Sequence, residues 1–326
     1  MISRRTQAYY VLGIDGGGTK TLCLLADSAG KVVGRGVGGP SNLHQVSAAE
    51  LRAALSTSIR GALNAVDFSP GNLAAVHVAL AGAAAAGGEK RRQVRGIIQE
   101  VLATSLGLSG NSQFAIPVAL TSDMVIVLVA GSHARYGLVV ISGTGAVIYG
   151  EGLGSQRVKV GGWGKFIDSD GSGYGIGKAA LKATFRAYDG RGPQTLLEEF
   201  IIEEWRLNSM RGLLQHILQK EPSVEEIASL AKVVSRAAEA GDQISVDILA
   251  ATSQQLLEGV LTAARKLGLL AQPFPLVLSG GILSKIDLVT EQLIGGVREQ
   301  LPLAKPLRLQ AEPATGAITL ALEMTE

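Results

Sequence analysis

The sequence predicts an α/β protein of two domains, each a mixed sheet flanked by helices, and three observations carry that expectation. An apolar run ending at Ile14 meets the glycine-rich stretch GIDGGGTKT at 13–21, then resumes as TLCLLAD and KVVGRGV, a strand–turn–strand–turn–strand pattern. The stretch YGLVVISGTGAVIYGEGLGSQRVKVGG, from Tyr136, repeats that plan, with Ser142-Gly143-Thr144-Gly145 standing where Asp15-Gly16-Gly17-Gly18 stood. Two similar units in one chain suggest two domains of one architecture. The chain has 326 residues, 47% of them hydrophobic, which is enough for two cores.

The elements follow in order. After the first three strands the pattern predicts a helix at 48–66, a strand in LAAVHVALAG, a helix at about 89–106 and a strand in PVALTSD. Meander followed by αβαβ describes a mixed sheet covered by helices. After the second three-strand unit, helices are expected at roughly 174–188, 196–204, 210–219, 224–240 and 242–267. The apolar run PLVLSGGIL then ends in paired glycines before another helical segment. A terminal helix, opened by Thr315-Gly316-Ala317, closes the chain at 314–324.

The glycine stretches do not fit two familiar phosphate motifs. A dinucleotide fingerprint counted from Gly16 needs glycine at position 21, which is Thr21. A P-loop counted from Gly13 needs lysine at position 19, which is Thr19. Gly177-Lys178 resembles a P-loop ending, but Ser172 and Ala179 break both ends of that pattern, so it reads as the glycine-rich start of a helix. The first glycines therefore belong at a hairpin tip. Glycine there permits positive φ and lets backbone N–H groups face an anion. An ordinary tight hairpin needs no such ligand. Asp15 beside the glycines adds a reason for one, because a carboxylate near a phosphate cradle is useful with a divalent cation between them.

Composition narrows the function. A net charge of +2 gives no signal for nucleic acid or an acidic membrane surface. Arg91, Arg92 and Arg95 read as a solvated helix face. The single cysteine, Cys23, excludes an intrachain disulfide or cysteine-built metal site. His44, His77, His133 and His216 are scattered without ligand spacing. Arg4 and Arg5 precede an apolar stretch too short for a signal peptide, and no apolar run reaches membrane-spanning length. A reducing cytoplasm is the expected location. Asp123 ends an apolar strand, where α/β clefts bind ligands. It is a candidate general base; equally, Ser122 or Asp123 would cap the helix that MVIVLVAG predicts.

In order, GIDGGGTKT, TSD at 121–123, ISGTGA, GGWG at 161–164, LSGGIL and ATGAITLAL make the chain resemble the hexokinase–actin–heat-shock-chaperone ATPase superfamily. Within it the nearest likeness is to the N-acetylglucosamine kinase branch, of the BadF/BadG/BcrA/BcrD type, which also holds activating ATPases of acyl-CoA reductases. The resemblance implies two RNase-H-like (actin-like ATPase) domains with a nucleotide cleft between them. It places one domain at 1–118 with 312–326 and the other, with a helical insertion, at 119–311.

The resemblance also assigns roles. ATP and Mg²⁺ are the implied cofactors, with Asp15 on the metal. Gly16, Gly17, Gly18, Thr19 and Lys20 would line the terminal phosphates, and Gly143, Thr144 and Gly145 would grip them from the other domain. Gly280 and Gly281 would let adenosine approach the backbone, with Ala228 near the base. Asp123 would accept the proton of the attacking sugar hydroxyl. Asn42, Leu43, Ala146, Gly162, Trp163, Gly164, Asp168 and Ser169 would form the sugar side. Leu43 stands where the kinases usually have histidine, and Trp163 is also readable as an anchor between domains. The family's Gly-Asp-Glu-Gly-Ser becomes Asp168-Ser169-Asp170-Gly171-Ser172, so Ser169 holds the aspartate position. The implied activity is ATP-dependent phosphorylation of an amino sugar such as N-acetylglucosamine or glucosamine by a cytoplasmic homodimer, with no nucleic acid or membrane partner. Two rivals remain at this point. One is an activating ATPase, which would commonly need cluster-binding cysteines. The other is a non-catalytic ATP or sugar sensor.

Overall fold

The computed structural model describes residues 9–108, 116–154 and 156–326. Arg4 and Arg5 lie outside the described residues. Contacts divide the chain into two compact units, 1–135 with 309–326, and 136–308.

The first unit contains β1 (Tyr10–Gly16), β2 (Thr21–Asp27), β3 (Val32–Gly38), α1 (Ala48–Leu63), β4 (Leu73–Leu80), α2 (Gly88–Ser105), β5 (Val118–Thr121) and α3 (Asp123–Ser132), with the C-terminal helix Pro313–Glu323. Its sheet runs β3-β2-β1-β4-β5, antiparallel across β1–β2–β3 and parallel across β1–β4–β5. Near-continuous apolar sequence in β1, β2 and β4 follows from burial on both faces. Leu12, Ile14, Leu25, Val76 and Val78 face the core shared with α1 and α2. Val11, Leu24 and Ala75 face the C-terminal helix, and Ala79 meets α3 and that helix. In β3, Gly34, Gly36 and Gly38 lie against α1; a Cβ on Gly36 would stand 1.9 Å from the Ser58 carbonyl oxygen. α1 starts at a capping box, Ser47 and Glu50 bonding each other's backbone N–H. The elements that the sequence reading placed beyond residue 118 pack here: β5 pairs with β4, and α3 lies against the C-terminal helix.

The second unit repeats the plan. It contains β6 (Gly137–Ser142), β7 (Ala146–Glu151), β8 (Arg157–Gly161), α4 (Gly173–Tyr188), α5 (Leu197–Glu204), α6 (Met210–Lys220), α7 (Val224–Ser229), α8 (Ala231–Glu239) and α9 (Gln243–Lys266). Then follow β9 (Phe274–Ser279), α10 (Gly281–Lys285), α11 (Asp287–Gln300) and β10 (Ala304–Arg308). The sheet order β10-β9-β6-β7-β8 has the same pattern of parallel and antiparallel pairs as the first. Its core joins Leu138, Val140, Leu256, Val260, Leu276 and Leu293, among others.

Two local expectations change. The helix read at 224–240 is two helices meeting at fully buried Leu230. β10 was not foreseen; its Pro306 interrupts a strand signal, and proline is tolerated because β10 is an edge strand. No helix among the described residues is long and apolar enough to cross a membrane.

Candidate active site

In the first unit, β1 and β2 form a hairpin whose register closes at Gly16 and Thr21. The Gly17 N–H donates to the Lys20 carbonyl at 3.0 Å, and Gly18, Thr19 and Lys20 are exposed. The expectation of positive φ fails here, since Gly16, Gly17 and Gly18 all lie outside that region. What Gly16 needs is space: a Cβ there would stand 2.2 Å from Ser41 Oγ and 2.4 Å from Leu80 Cδ2. Leu80 is the last residue of β4, and Ser41 belongs to the segment 39–43, which is fastened to the hairpin. Ser41 N–H donates to the Gly17 carbonyl at 2.9 Å, and Thr21 Oγ1 lies 2.7 Å from both the Gly39 carbonyl and Ser41 Oγ.

Asn42 is thereby held beside the hairpin, its Oδ1 accepting the His44 N–H at 3.0 Å. Leu43 turns the other way. Its side chain is 5% exposed within the α1/α2 core, and its carbonyl accepts from Lys90 Nζ. Its N–H is also engaged, donating to the Ala81 carbonyl at 3.0 Å. The Arg91 guanidinium is likewise structural, donating to the Ala83 and Leu120 carbonyls.

Asp15 is the penultimate residue of β1 and Asp123 opens α3; both are partly buried. The N-cap of α3 is Ser122, which makes no side-chain cap bond, so Asp123 sits at the first helical position. Burial pushes the Asp15 carboxyl up to about 6, and the Asp123 charge adds to the shift. Lys20 pulls in the opposite direction, and Glu312 raises it further. Glu312 precedes the C-terminal helix and forms a two-pronged ion pair with Arg35, which holds its own carboxyl low. Nothing local to either residue signals that Glu312 acts on Asp15. Within β4, in register with Gly13, His77 Nε2 lies 3.0 Å from Thr121 Oγ1, and burial drives the imidazole down to about 4. Cys23 is buried in β2, and burial raises its thiol. Among the described residues no group of three or more His, Cys, Asp or Glu side chains is placed to hold a metal alone.

In the second unit the Gly143–Gly145 turn is braced from below. Gly143 N–H donates to the Gly145 carbonyl at 2.9 Å, while Gly173 N–H at the start of α4 donates to the Gly143 carbonyl at 2.7 Å. Gly280 follows β9 with φ +98°, and a Cβ there would stand 2.1 Å from the Ser142 carbonyl oxygen. It brings β9 against β6 rather than facing a cavity. Gly281 does face one, of about 700 Å³, with Gly143, Thr144 and Ala228. The cavity also has an apolar wall, Ala231, Ile282 and Ile286, and a charged rim that includes Lys232 and Arg236. Ile282 lies within the LSGGIL stretch but was given no role, while Ala231 on α8 and Ile286 just after α10 belong to no motif.

Thr144 also borders a smaller cavity, of about 200 Å³, with Gly145, Ala146, Gly162, Gly164, Asp168 and Ser169. Lys165, Ser172, Tyr174 and Val224 complete its wall and had been assigned no role there. Gly161, Gly162 and Gly164 all have positive φ, which fixes this loop's path. Asp168 Oδ1 accepts the Asp170 N–H at 3.3 Å. Trp163 borders neither cavity; it is 65% exposed with Lys159 Nζ 5.1 Å from its ring centroid.

Two β-meander sheets of one topology, each with a glycine hairpin at its first turn, define an actin-like ATPase fold. The chain belongs to the BadF/BadG/BcrA/BcrD ATPase family, whose model matches residues 12–321. It is 31% identical over 312 residues to an N-acetylmuramic acid/N-acetylglucosamine kinase of Clostridium acetobutylicum, covering 96% of this chain and 98% of that protein. It is 28% identical to an N-acetyl-D-glucosamine kinase of Dictyostelium discoideum, covering 95% and 97%. A solved structure from Chromobacterium violaceum, described as a candidate N-acetylglucosamine kinase, superposes with a TM-score of 0.71 at 23% identity over 98% of this chain and 99% of that one.

Proposed function

We propose that this protein transfers the terminal phosphate of ATP to a hydroxyl of an N-acetylated or free amino sugar. The observation that carries the reading is Asp15 at the glycine hairpin, its carboxyl pushed up to about 6 chiefly by burial, with the charge of Asp123 at the start of α3 adding to the shift. Full-length similarity to amino-sugar kinases supports the substrate class.

In this reading Asp123 accepts the proton of the attacking hydroxyl, and Asn42 orients the sugar from the neighbouring segment. The turns at Gly16–Lys20 and Gly143–Gly145 receive phosphate oxygens, and the 700 Å³ cavity in the second unit receives the adenosine, with Ala228 and Gly281 at its wall. Phosphoryl transfer asks mainly for such positioning and charge neutralisation. The donor set suits Mg²⁺, which takes one or two carboxylates and keeps its remaining ligands as water and phosphate oxygen. Excess negative charge at Asp15 is what such a cation would relieve, and it would neutralise charge on the transferred phosphate. Ser169, Asp168 and Ala146 would contact the sugar in the smaller cavity. We place the protein in the cytoplasm as a homodimer on the resemblance; sedimentation checks the second point.

The test is ADP release across a panel of N-acetylglucosamine, N-acetylmuramic acid, glucosamine and glucose. Stimulation by an amino sugar well above glucose supports the reading; ADP release indifferent to every sugar defeats it.

A further inference from the structure

The corner between α5 and α6 forms an open surface cavity of about 510 Å³ that the reaction above does not use. Arg206, Arg211, His216 and Lys220 line it together with Asn208 and Gln219, and no carboxylate does. Of the acids nearest in sequence, Glu221 follows Lys220 but is exposed and does not line the cavity, and two others are engaged elsewhere. Glu203 and Glu204, at the end of α5, pair with Arg236 at 2.6 Å and Lys232 at 2.7 Å on α8. Among the described residues Arg206, Arg211 and Lys220 have no ion-pair partner. Glu226 on α7 feels His216 and Lys220, but its carboxylate is bonded to the Ser223 backbone N–H at 2.7 Å. The His216 ring is held against Trp205, centroids 4.7 Å apart. The cavity therefore offers two guanidinium forks, an ammonium, an imidazole and side-chain amides to one volume.

Planar forks with a neighbouring ammonium match the tetrahedral oxygens of a phosphate group. The volume exceeds that of a bare anion and admits a small ester. We propose that the α5–α6 corner binds a phosphate dianion, either free phosphate or the phosphoryl group of a small ester. This site is separate from the nucleotide cavity and does not rest on the kinase reading.

Calorimetry on the full chain, with ADP and Mg²⁺ saturating to fill the nucleotide site, tests it with two probes, inorganic phosphate and a hexose phosphate. The double variant Arg211→Gln/Lys220→Gln leaves the corner's backbone untouched. Arg206→Gly is a second, independent variant, because Arg206 has φ +53° and glycine accepts that conformation freely. Each should weaken phosphate binding at least about tenfold, the worth of one charge-assisted hydrogen bond, with turnover at the active site unchanged. A hexose phosphate binding some tenfold tighter than phosphate assigns the ester; equal affinities assign the free ion. Wild type without saturable binding of either probe, or variants that bind like wild type, overturn the proposal.

Discussion

Asp15→Asn should stabilise the nucleotide-free protein at neutral pH while abolishing its activity. Asp15 titrates at about 6 in the fold against an ordinary value of 3.8. The folded state thus binds this proton more tightly than the unfolded state, so stability falls as pH rises from about 3.8 through 6. The difference of 2.2 units at 1.36 kcal/mol each sets an upper bound of about 3 kcal/mol lost above pH 6. Asparagine keeps the size and removes the charge, so it recovers much of that cost, less the attraction to Lys20 that it forfeits. Partial exposure of Asp15 reduces the gain further, to roughly 1–2 kcal/mol, or a few degrees in melting temperature. His77 acts in the opposite direction: its folded value near 4 lies below the ordinary 6.5, so it adds stability as pH rises between them. That contribution is common to both proteins and cancels in the difference. Melting curves of wild type and variant, in chelator without nucleotide, at pH 4, 5, 6 and 7.5 measure it. The variant's advantage should grow with pH and vanish near pH 4. A variant no more stable than wild type at pH 7.5, or an advantage independent of pH, refutes the argument.

The remaining expectations are simpler. Asp123→Asn should lower turnover by roughly a hundred- to ten-thousandfold with ATP affinity little changed; near-normal turnover removes Asp123 as base. Leu43→Ala should cost about 2–5 kcal/mol in denaturant unfolding, since the side chain is in the core, and a loss confined to sugar KM would contradict that placement. Ala228→Trp should fill the larger cavity and raise KM for ATP at least about tenfold with sugar KM unchanged; steady-state kinetics in each substrate decide it. Ser169→Asp should reorder preference across the sugar panel, and an unchanged ranking would take Ser169 out of acceptor choice.

Much of this architecture was legible because both sheets are written in local terms. Apolar runs broken by glycine turns predicted both meanders, and the Ser47–Glu50 box marks the start of α1. The repeated turn at Ser142–Gly145 predicted that the second unit would copy the first. What escaped depends on distant chain. Glu312 joins Asp15 from the far end of the sequence, and its partner Arg35 lies on β3. The side chain of Leu43 follows the core beneath the loop rather than the loop's own polarity. Positive φ at Gly16–Gly18 was a reasonable inference from composition, yet the demand there is for room beside Ser41 and Leu80. Gly280 is needed both for its left-handed backbone and for contact with Ser142, so its conservative replacement would displace β9 before it touched a ligand.

The central claim is that phosphate leaves ATP for a sugar. The most direct measurement follows label from γ-³²P-ATP in the presence of N-acetylglucosamine, N-acetylmuramic acid or glucosamine, separating sugar phosphate from inorganic phosphate. The account predicts labelled sugar phosphate in one-to-one ratio with ADP for at least one of the three, and loss of that product in Asp123→Asn. ADP formation with all label in inorganic phosphate, whatever sugar is present, would contradict it and identify an ATPase instead.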